Sequence, residues 1–182
     1  KSGVVANPGV AKAGAPTLKV FEDFQCPACK SVENVLGPTI REMATKGDIT
    51  LVYYVKTFLD DNLRNDSSKK AGLAALCAAD QGKLMEMHDA LYKAQPANEG
   101  DGYGDAAING AAAEAGLTGA ALTDWQKCLA EKPYLPYLAA VEDVTAREFK
   151  IASTPSFYVN NKIIDMKTVT DAADFKKKVL AG

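Results

Sequence analysis

Two cysteines separated by two residues, Cys26 and Cys29, are the side chains of this sequence best suited to covalent chemistry. They follow a short apolar run that ends at Phe24, and Pro27 between them is well tolerated at the first position of a helix. A thiol at such a position faces unpaired N–H groups and the positive end of the helix dipole, which stabilise a thiolate. Because the thiolate is the attacking species in disulfide exchange, the spacing predicts a redox pair. Cys26 would attack, and Cys29, one turn further along the helix, would resolve the mixed disulfide.

A Cys-x-x-Cys pair can also be half of a zinc site or a structural cross-link. A structural zinc site needs four ligands, generally from a second cysteine or histidine pair. The other cysteines, Cys77 and Cys128, lie far apart in sequence, and His88 is the single histidine. A cross-link around so small a loop adds little stability. We therefore expect no metal site and no cofactor, and we expect His88 to be a partly exposed helix residue or a packing contact.

The composition indicates a folded protein that fits a single domain with an insertion. Hydrophobic residues make up 47% and charged residues 24% of the 182 residues, which is enough apolar side chain for a full core. The net charge of −2 leaves no basic surface for nucleic acid or for an anionic membrane. No apolar run approaches the roughly 20 residues that span a bilayer. The first residues fit either a cytosolic protein or an exported one whose signal peptide has been removed.

Hydrophobic periodicity predicts the elements that must position the cysteine pair. A β-rich strand precedes Cys26, a helix carries the pair, and a second strand covers residues 49–55. Several Ala-rich helices follow, including residues 71–80 and 84–92, and then come a further helix, a hairpin and a final helix. The first β–α–β unit requires a crossover, so its strands should be parallel, whereas the hairpin is antiparallel. This order predicts an α/β fold with a mixed central sheet, flanking helices and an inserted helical block.

Two motifs taken together resemble the DsbA-like branch of the thioredoxin superfamily. They are Phe24-Gln25-Cys26-Pro27-Ala28-Cys29 and, about 130 residues later, Thr154-Pro155-Ser156-Phe157. The helical segment over residues 77–92 is also similar to the helical insertion of that family, and the resemblance covers nearly all of residues 17–182. It implies a thioredoxin fold with an inserted α-helical subdomain. It also implies that Thr154 and Pro155 bind substrate, with Pro155 as a cis proline facing the cysteine pair.

The predicted elements and the resemblance together divide the chain into three parts. Residues 1–16 form a flexible N-terminal arm, residues 17–60 and 139–182 form the thioredoxin-fold domain, and residues 61–138 form the inserted helical subdomain. Cys77 and Cys128 lie in two predicted helices of this subdomain. They could be two buried free thiols, which are common, but the resemblance favours a structural disulfide between them. Such a bridge would stabilise the subdomain and would require an oxidising compartment.

The sequence departs from the best-known relatives at two places near the cysteines. Ala28 stands where those relatives have a histidine that stabilises the thiolate. We therefore expect Pro27 and Ala28 to modulate the active site, with a Cys26 thiol that is less acidic than in those relatives. The protein should then be an oxidant of moderate strength. Val20 stands where many relatives carry a buried acid, six residues before the first cysteine. Glu22 and Asp23 lie close by, and the sequence leaves open whether either of them accepts a proton.

The resemblance implies an enzyme, a protein thiol–disulfide oxidoreductase that introduces disulfides into exported proteins and so supports their folding. Its expected partners are reduced, unfolded exported proteins and a membrane quinone-linked reoxidase, with no nucleic acid, and its expected state is a monomer. We expect an extracytoplasmic location, secreted to the periplasm or the cell envelope, and leave open a membrane anchor before Lys1. A disulfide reductase or isomerase and a non-catalytic thioredoxin-fold binding module are the alternatives.

Overall fold

A computed structural model describes residues 3–182, and in this range it contains a five-stranded sheet and eight α-helices. The strands are β1 (Val4–Val5), β2 (Thr17–Glu22), β3 (Thr50–Val55), β4 (Ser156–Val159) and β5 (Lys162–Ile163). The helices are α1 (Pro27–Thr45), α2 (Leu59–Leu63), α3 (Ser67–Ala79), α4 (Leu84–Ala94), α5 (Asp105–Glu114), α6 (Gly119–Glu131), α7 (Leu135–Arg147) and α8 (Ala172–Leu180). Within these residues no helix combines the length and the apolarity needed to cross a bilayer.

The sheet is mixed, with the strand order β1-β3-β2-β4-β5. Strands β2 and β3 are parallel, with Thr17 opposite Thr50 and Glu22 opposite Val55, because α1 crosses over between them. Strand β4 runs antiparallel to β2, and β5 returns beside β4 as the second strand of a hairpin. This arrangement confirms the predicted α/β class with a mixed central sheet.

Helix α1 begins where the cysteine motif predicts. Cys26 is the N-cap residue, in an extended conformation, and Pro27 takes the first helical position, where its missing N–H removes no hydrogen bond. The buried residues of α1 recur at helical spacing and include Cys29, Leu36, Ile40 and Met43. They belong to the main core together with residues of β2 and β3, so burial of this face holds the start of α1 against the sheet.

Helices α2 to α6 form a helical block between the two halves of the sheet. Within it, α3 and α6 are joined by a disulfide between Cys77 and Cys128, with a Cα–Cα distance of 5.8 Å. Trp125 of α6 is fully buried, and its indole Nε1–H donates a hydrogen bond to the carbonyl oxygen of Ala74 at 3.0 Å. Because Ala74 and Cys77 are one turn apart on α3, the indole and the disulfide fix the same stretch of α3 against α6.

Residues 4–7 of the N-terminal arm predicted for residues 1–16 pair with the sheet or pack against it. Strand β1 pairs with β3 in the antiparallel direction. Asn7 is buried, and its amide nitrogen donates to the carbonyl oxygens of Ala44 and Ile49 at 2.9 and 2.8 Å. Hydrogen bonds of this kind do not require a hydrophobic pattern in the sequence. The small residues around Asn7 therefore gave no indication that this segment contacts the sheet. The first two residues of the predicted arm lie outside the described residues.

Helix α7 crosses the predicted boundary between residues 138 and 139. Its first part contributes Leu138 to the main core. Its middle packs Val141 against Phe21 and Tyr54 on the other face of the sheet. The helical block and the sheet-bearing part of the chain therefore share this helix.

Candidate active site

Cys26 and Cys29 lie together at the N-terminal end of α1, both as free thiols. The sulfur of Cys26 accepts a hydrogen bond from the backbone N–H of Cys29 at 3.4 Å, so this side chain caps its own helix. Cys26 is 8% exposed and Cys29 3% exposed, whereas Pro27 and Ala28 between them are open to solvent. Another protein can therefore approach Cys26 past Pro27 and Ala28, and Cys29 lies deeper.

The surroundings of Cys26 favour its thiolate. A hydrogen bond from the thiol of Cys29 is the largest influence and, against the opposing effect of burial, the pKa of Cys26 falls to about 6. The side chain of Thr154 and the backbone N–H groups of Cys29 and Ala28 act in the same direction. The weaker acidity predicted for Cys26 rested on the side chain of Ala28, which offers no hydrogen bond to the thiolate. The backbone N–H of Ala28 nevertheless helps to lower the pKa of Cys26. Burial, reinforced by the neighbouring Cys26, raises the pKa of Cys29 well above its usual range.

Alkylation of the reduced protein should follow the ionisation of Cys26. Because the fold lowers the pKa of Cys26 from 9.0 to about 6, we expect its reaction rate with iodoacetamide to rise through a midpoint near that value and to level off above about pH 7. Mass spectrometry at a series of pH values measures this rate for each cysteine. Cys29→Ala removes the thiol that donates the hydrogen bond, so it should move the midpoint upward. A wild-type midpoint above about pH 8 would contradict the assignment.

Thr154 and Pro155 lie beside the cysteines, in the loop that precedes β4. The peptide bond between them is cis. The carbonyl oxygen of Thr154 is 3.6 Å from the sulfur of Cys26, close enough to accept the thiol hydrogen. Strand β4 begins at Ser156 and is held by antiparallel pairing with β2. The fold therefore brings Cys26 and Thr154, which are 128 residues apart in sequence, to one surface.

Asp23 is the centre of a buried polar network behind the cysteine pair. Its Oδ1 accepts hydrogen bonds from the Ser68 hydroxyl at 2.6 Å and from the Gln25 backbone N–H at 3.0 Å. Its Oδ2 accepts from the backbone N–H of Leu59 at 3.2 Å. Burial raises the pKa of Asp23 to about 7, although these hydrogen bonds oppose the shift. Asp23 is therefore a carboxyl group that can hold or release a proton near neutral pH.

Glu22 forms a second buried pair, with His88 of α4. The Nε2 atom of His88 is 2.7 Å from Oε1 of Glu22, and both side chains are almost completely buried. The imidazole also stacks on the ring of Tyr53, with 4.2 Å between ring centroids. Burial opposes protonation of the imidazole, but the carboxylates of Glu22, Asp89 and Glu33 together outweigh it, and the pKa of His88 rises to about 10. His88 is therefore a buried partner of Glu22, whereas the sequence led us to expect a partly exposed helix residue or a packing contact.

Two side chains of the helical block hold the loop between β2 and α1. The amide nitrogen of Gln95 donates to the carbonyl oxygens of Phe24 and Cys26 at 2.6 and 3.1 Å. The hydroxyl of Tyr103 donates to the same Phe24 carbonyl at 3.0 Å. These contacts satisfy backbone groups just before α1 and fix the position of Cys26. The sequence carries no sign of them, because Gln95 and Tyr103 lie in a loop rich in ordinary turn residues.

The fold brings together most of the residues that the sequence marks for the site. These are Cys26, Pro27, Ala28, Cys29, Thr154 and Pro155. Sequence reasoning missed the pairing of Glu22 with His88, although one signal for it exists. An acid that alternates with apolar residues on a buried strand needs an internal partner, and a single histidine is an obvious choice.

Comparison with known proteins agrees with this geometry. A family model described as thioredoxin matches residues 9–177. The structure of oxidised DsbA from Mycobacterium tuberculosis is similar, with a TM-score of 0.74 and 26% identity over 95% of this chain and 89% of that one. Disulfide bond formation protein D of Bacillus subtilis is 23% identical over 180 residues, which cover 97% of this chain and 77% of the relative. The matches confirm the predicted thioredoxin fold and the DsbA-like resemblance.

Part of a membrane transporter is also similar to this chain. The Na(+)/H(+) antiporter NhaA 1 of Salinispora arenicola is 31% identical over 147 residues. The match takes in 80% of this chain but 20% of the antiporter, so the chain spans about a fifth of that relative's length.

Proposed function

The chain belongs to the thioredoxin family as a DsbA-like thiol–disulfide oxidoreductase, and we propose that it introduces disulfides into exported proteins through Cys26 and Cys29. The observation that carries the proposal is the contrast between the two sulfurs. Cys26 is stabilised as a thiolate at the N-cap of α1, whereas Cys29 is a buried thiol. A sulfur of low pKa is a good leaving group, and stabilising it favours the reduced protein, which makes the disulfide form oxidising.

The proposed reaction runs in two exchange steps. A client thiolate attacks the sulfur of Cys26 in the Cys26–Cys29 disulfide, so that this bond breaks and Cys29 leaves and takes up a proton. A second client thiolate then attacks the client sulfur of the mixed disulfide, which releases Cys26 as a thiolate and leaves a disulfide in the client. Two electrons have passed to the protein, and a membrane quinone-linked reoxidase would remove them.

We assign client binding to the surface that Thr154 and Pro155 form beside Cys26. The Thr154 carbonyl lies 3.6 Å from the Cys26 sulfur, and an extended strand follows directly. An extended client segment can pair with exposed backbone at such a place as an added strand, which would carry its cysteine to Cys26. Pro27 and Ala28 form the exposed border on the other side of the sulfur.

We also propose that the protein acts outside the cytoplasm, in the periplasm or the cell envelope, as a monomer on reduced and unfolded exported proteins. The disulfide between Cys77 and Cys128 supports this location, because such bonds persist in oxidising compartments and are rare in reducing ones. The net charge of −2 supports clients that are proteins, since it provides no attraction for nucleic acid.

Oxidative refolding tests the proposed function. A reduced, disulfide-dependent ribonuclease is mixed with a stoichiometric amount of the oxidised protein, and the return of ribonuclease activity is followed with time. We expect recovery to be much faster than with a Cys26→Ser variant under the same conditions. Equal rates of ribonuclease recovery with the two proteins would contradict the oxidase proposal.

Equilibration of Cys26–Cys29 with glutathione separates an oxidase from a reductase. A thioredoxin-like reductase would have a reduction potential near about −270 mV, and a strong oxidase one near about −120 mV. The lowered pKa of Cys26 leads us to expect a value clearly less negative than that of thioredoxin. A value at or below the thioredoxin potential would favour the reductase alternative.

A further inference from the structure

A cluster of charged side chains lies where α1 meets α4, on the Nδ1 side of His88. Asp89 Oδ1 is 3.5 Å from this nitrogen, and Glu33 Oε1 is 4.0 Å from it. We propose that Glu33, His88 and Asp89 bind a divalent first-row transition-metal ion, for which Zn²⁺ is the probe. A mixed set of one imidazole and two carboxylates suits such ions, whereas Ca²⁺ and Mg²⁺ prefer oxygen ligands alone.

The state of His88 is the observation that points to a ligand. Its side chain is 1% exposed, and among residues 3–182 its Nδ1 has no hydrogen-bond partner. An unpaired polar atom is unfavourable in the protein interior, so buried ring nitrogens normally have a partner. The other nitrogen, Nε2, is held by the Glu22 carboxylate at 2.7 Å. The Glu22 carboxylate orients the imidazole through Nε2, and a metal ion at Nδ1 would take the place of the proton that the imidazolium carries there.

The spacing of the three ligand atoms fits a small cation. Zinc bonds to nitrogen and oxygen are about 2.0–2.2 Å long, so tetrahedral ligand atoms lie about 3.4 Å apart. The separation of 3.5 Å between His88 and Asp89 already matches, and the 4.0 Å separation from Glu33 requires a small side-chain shift. All three ligand atoms lie within 4.8 Å of one another, and residues 3–182 contain no second group of three potential metal ligands so arranged.

Each of the two carboxylates has one oxygen on the side of His88. Asp89 uses Oδ2 for an ion pair with Arg41 at 2.7 Å, which leaves Oδ1 facing His88. Glu33 folds back along α1 over Gly37, where an added Cβ would lie 2.0 Å from its Oε1. Glycine at this position therefore makes room for the carboxylate near the imidazole. A cavity of about 490 Å³, lined in part by Glu33 and Asp89, gives the ion a path from solvent and space for bound water.

A bound ion would join two parts of the fold. Glu33 lies on α1, the helix that begins with the cysteine pair, and His88 and Asp89 lie on α4 of the helical block. The ligands come from separate helices, so no short sequence pattern contains them, and the sequence led us to expect no metal. The ion would cross-link the cysteine-bearing helix to the block beside it.

Calorimetric titration with Zn²⁺ tests the site. The oxidised protein is used, so that the thiols of Cys26 and Cys29 cannot bind the ion. We expect one ion per chain, with the dissociation constant raised at least tenfold by Glu33→Gln and by Asp89→Asn. Glu114→Gln is the matched control, because it removes an exposed carboxylate that pairs with Lys93 of α4, and it should leave the affinity unchanged.

Nitrogen-15 NMR provides a second readout, because the chain contains one histidine. On addition of Zn²⁺ we expect the Nδ1 resonance of His88 to shift strongly while Nε2 keeps its proton, since Glu22 continues to accept it. This result supports the site even if a carboxylate variant folds poorly. Absence of binding, equal affinity in both carboxylate variants, or unchanged imidazole resonances at saturating Zn²⁺ would overturn the proposal.

Discussion

Replacing Cys26 with serine is expected to lower the rate of disulfide exchange on the order of 10³-fold or more, to the level of uncatalysed thiol chemistry. A serine hydroxyl is not ionised near neutral pH and cannot form a disulfide, whereas the fold lowers the pKa of Cys26 to about 6. The rate is measured by insulin reduction or by refolding of a reduced client. The helix should stay intact, because a serine oxygen can also cap its N-terminus.

Cys29→Ser is the matched variant and separates the two proposed roles. Its Cys26 can still attack a client disulfide, but the hydroxyl at position 29 cannot resolve the product. We therefore expect a covalent complex with the client, visible on a non-reducing gel and absent with Cys26→Ser. Accumulation of the complex in the Cys26→Ser protein instead would reverse the assignment of attack and resolution.

Removing the disulfide between Cys77 and Cys128 is expected to lower the free energy of unfolding by about 4 kcal/mol. The bond closes a loop over a sequence separation of 51 residues, and loop closure of this size removes that much chain entropy from the unfolded state. The double variant Cys77→Ala/Cys128→Ala should therefore unfold at a much lower urea concentration, measured by circular dichroism. Alanine is chosen because Cys77 is fully buried and a hydroxyl there would need a partner.

A Cys26→Ser/Cys29→Ser protein is the control for this measurement. It also lacks two cysteines, but it keeps the bond between α3 and α6. We expect its urea midpoint to stay close to that of the wild type. A loss below about 1 kcal/mol in the alanine double variant would show that packing around Trp125 holds the helical block without the bond.

The redox pair could be predicted because its signals are local. The apolar strand, the cysteine spacing and Pro27 all act within one strand–helix junction, and α1 begins at Pro27. Helical periodicity likewise places α4, which starts at Leu84 as predicted and extends two residues beyond residue 92. These features depend on residues within a few turns of each other, which is the range over which sequence patterns carry information.

The start of helix α3 could not be predicted from local sequence patterns. It begins at Ser67, four residues before the predicted start. The carboxylate of Asp60, in the preceding helix, accepts hydrogen bonds from the backbone N–H groups of Ser68 and Lys69 at 2.7 and 3.0 Å. These bonds satisfy backbone N–H groups of the first helical turn, which have no partner within the helix. Polar residues for which the sequence predicts a loop therefore form the start of α3.

Contacts between distant polar side chains are much harder to predict from local patterns. Glu22 and His88 are 66 residues apart, and Gln95 reaches Cys26 across 69 residues. Each pair forms only because the helical block folds back over the start of α1. The alternation around Glu22 indicates that this acid needs an internal partner, but it does not identify the partner, and the polar side chain of Gln95 is equally compatible with exposure.

The contact between Cys26 and Thr154 has a consequence for how the protein is made. A chain synthesised from its N-terminus carries Cys26 long before Gln95, Tyr103 and Thr154 exist. Before α1 and the loop ahead of β4 have folded around it, the thiol has its ordinary pKa of 9.0 and is mostly protonated near neutral pH. The contribution of Thr154 to this acidity is added only when the C-terminal part of the polypeptide has been made. Cys26 therefore reaches its full acidity only after Cys77 has been synthesised and the chain is complete.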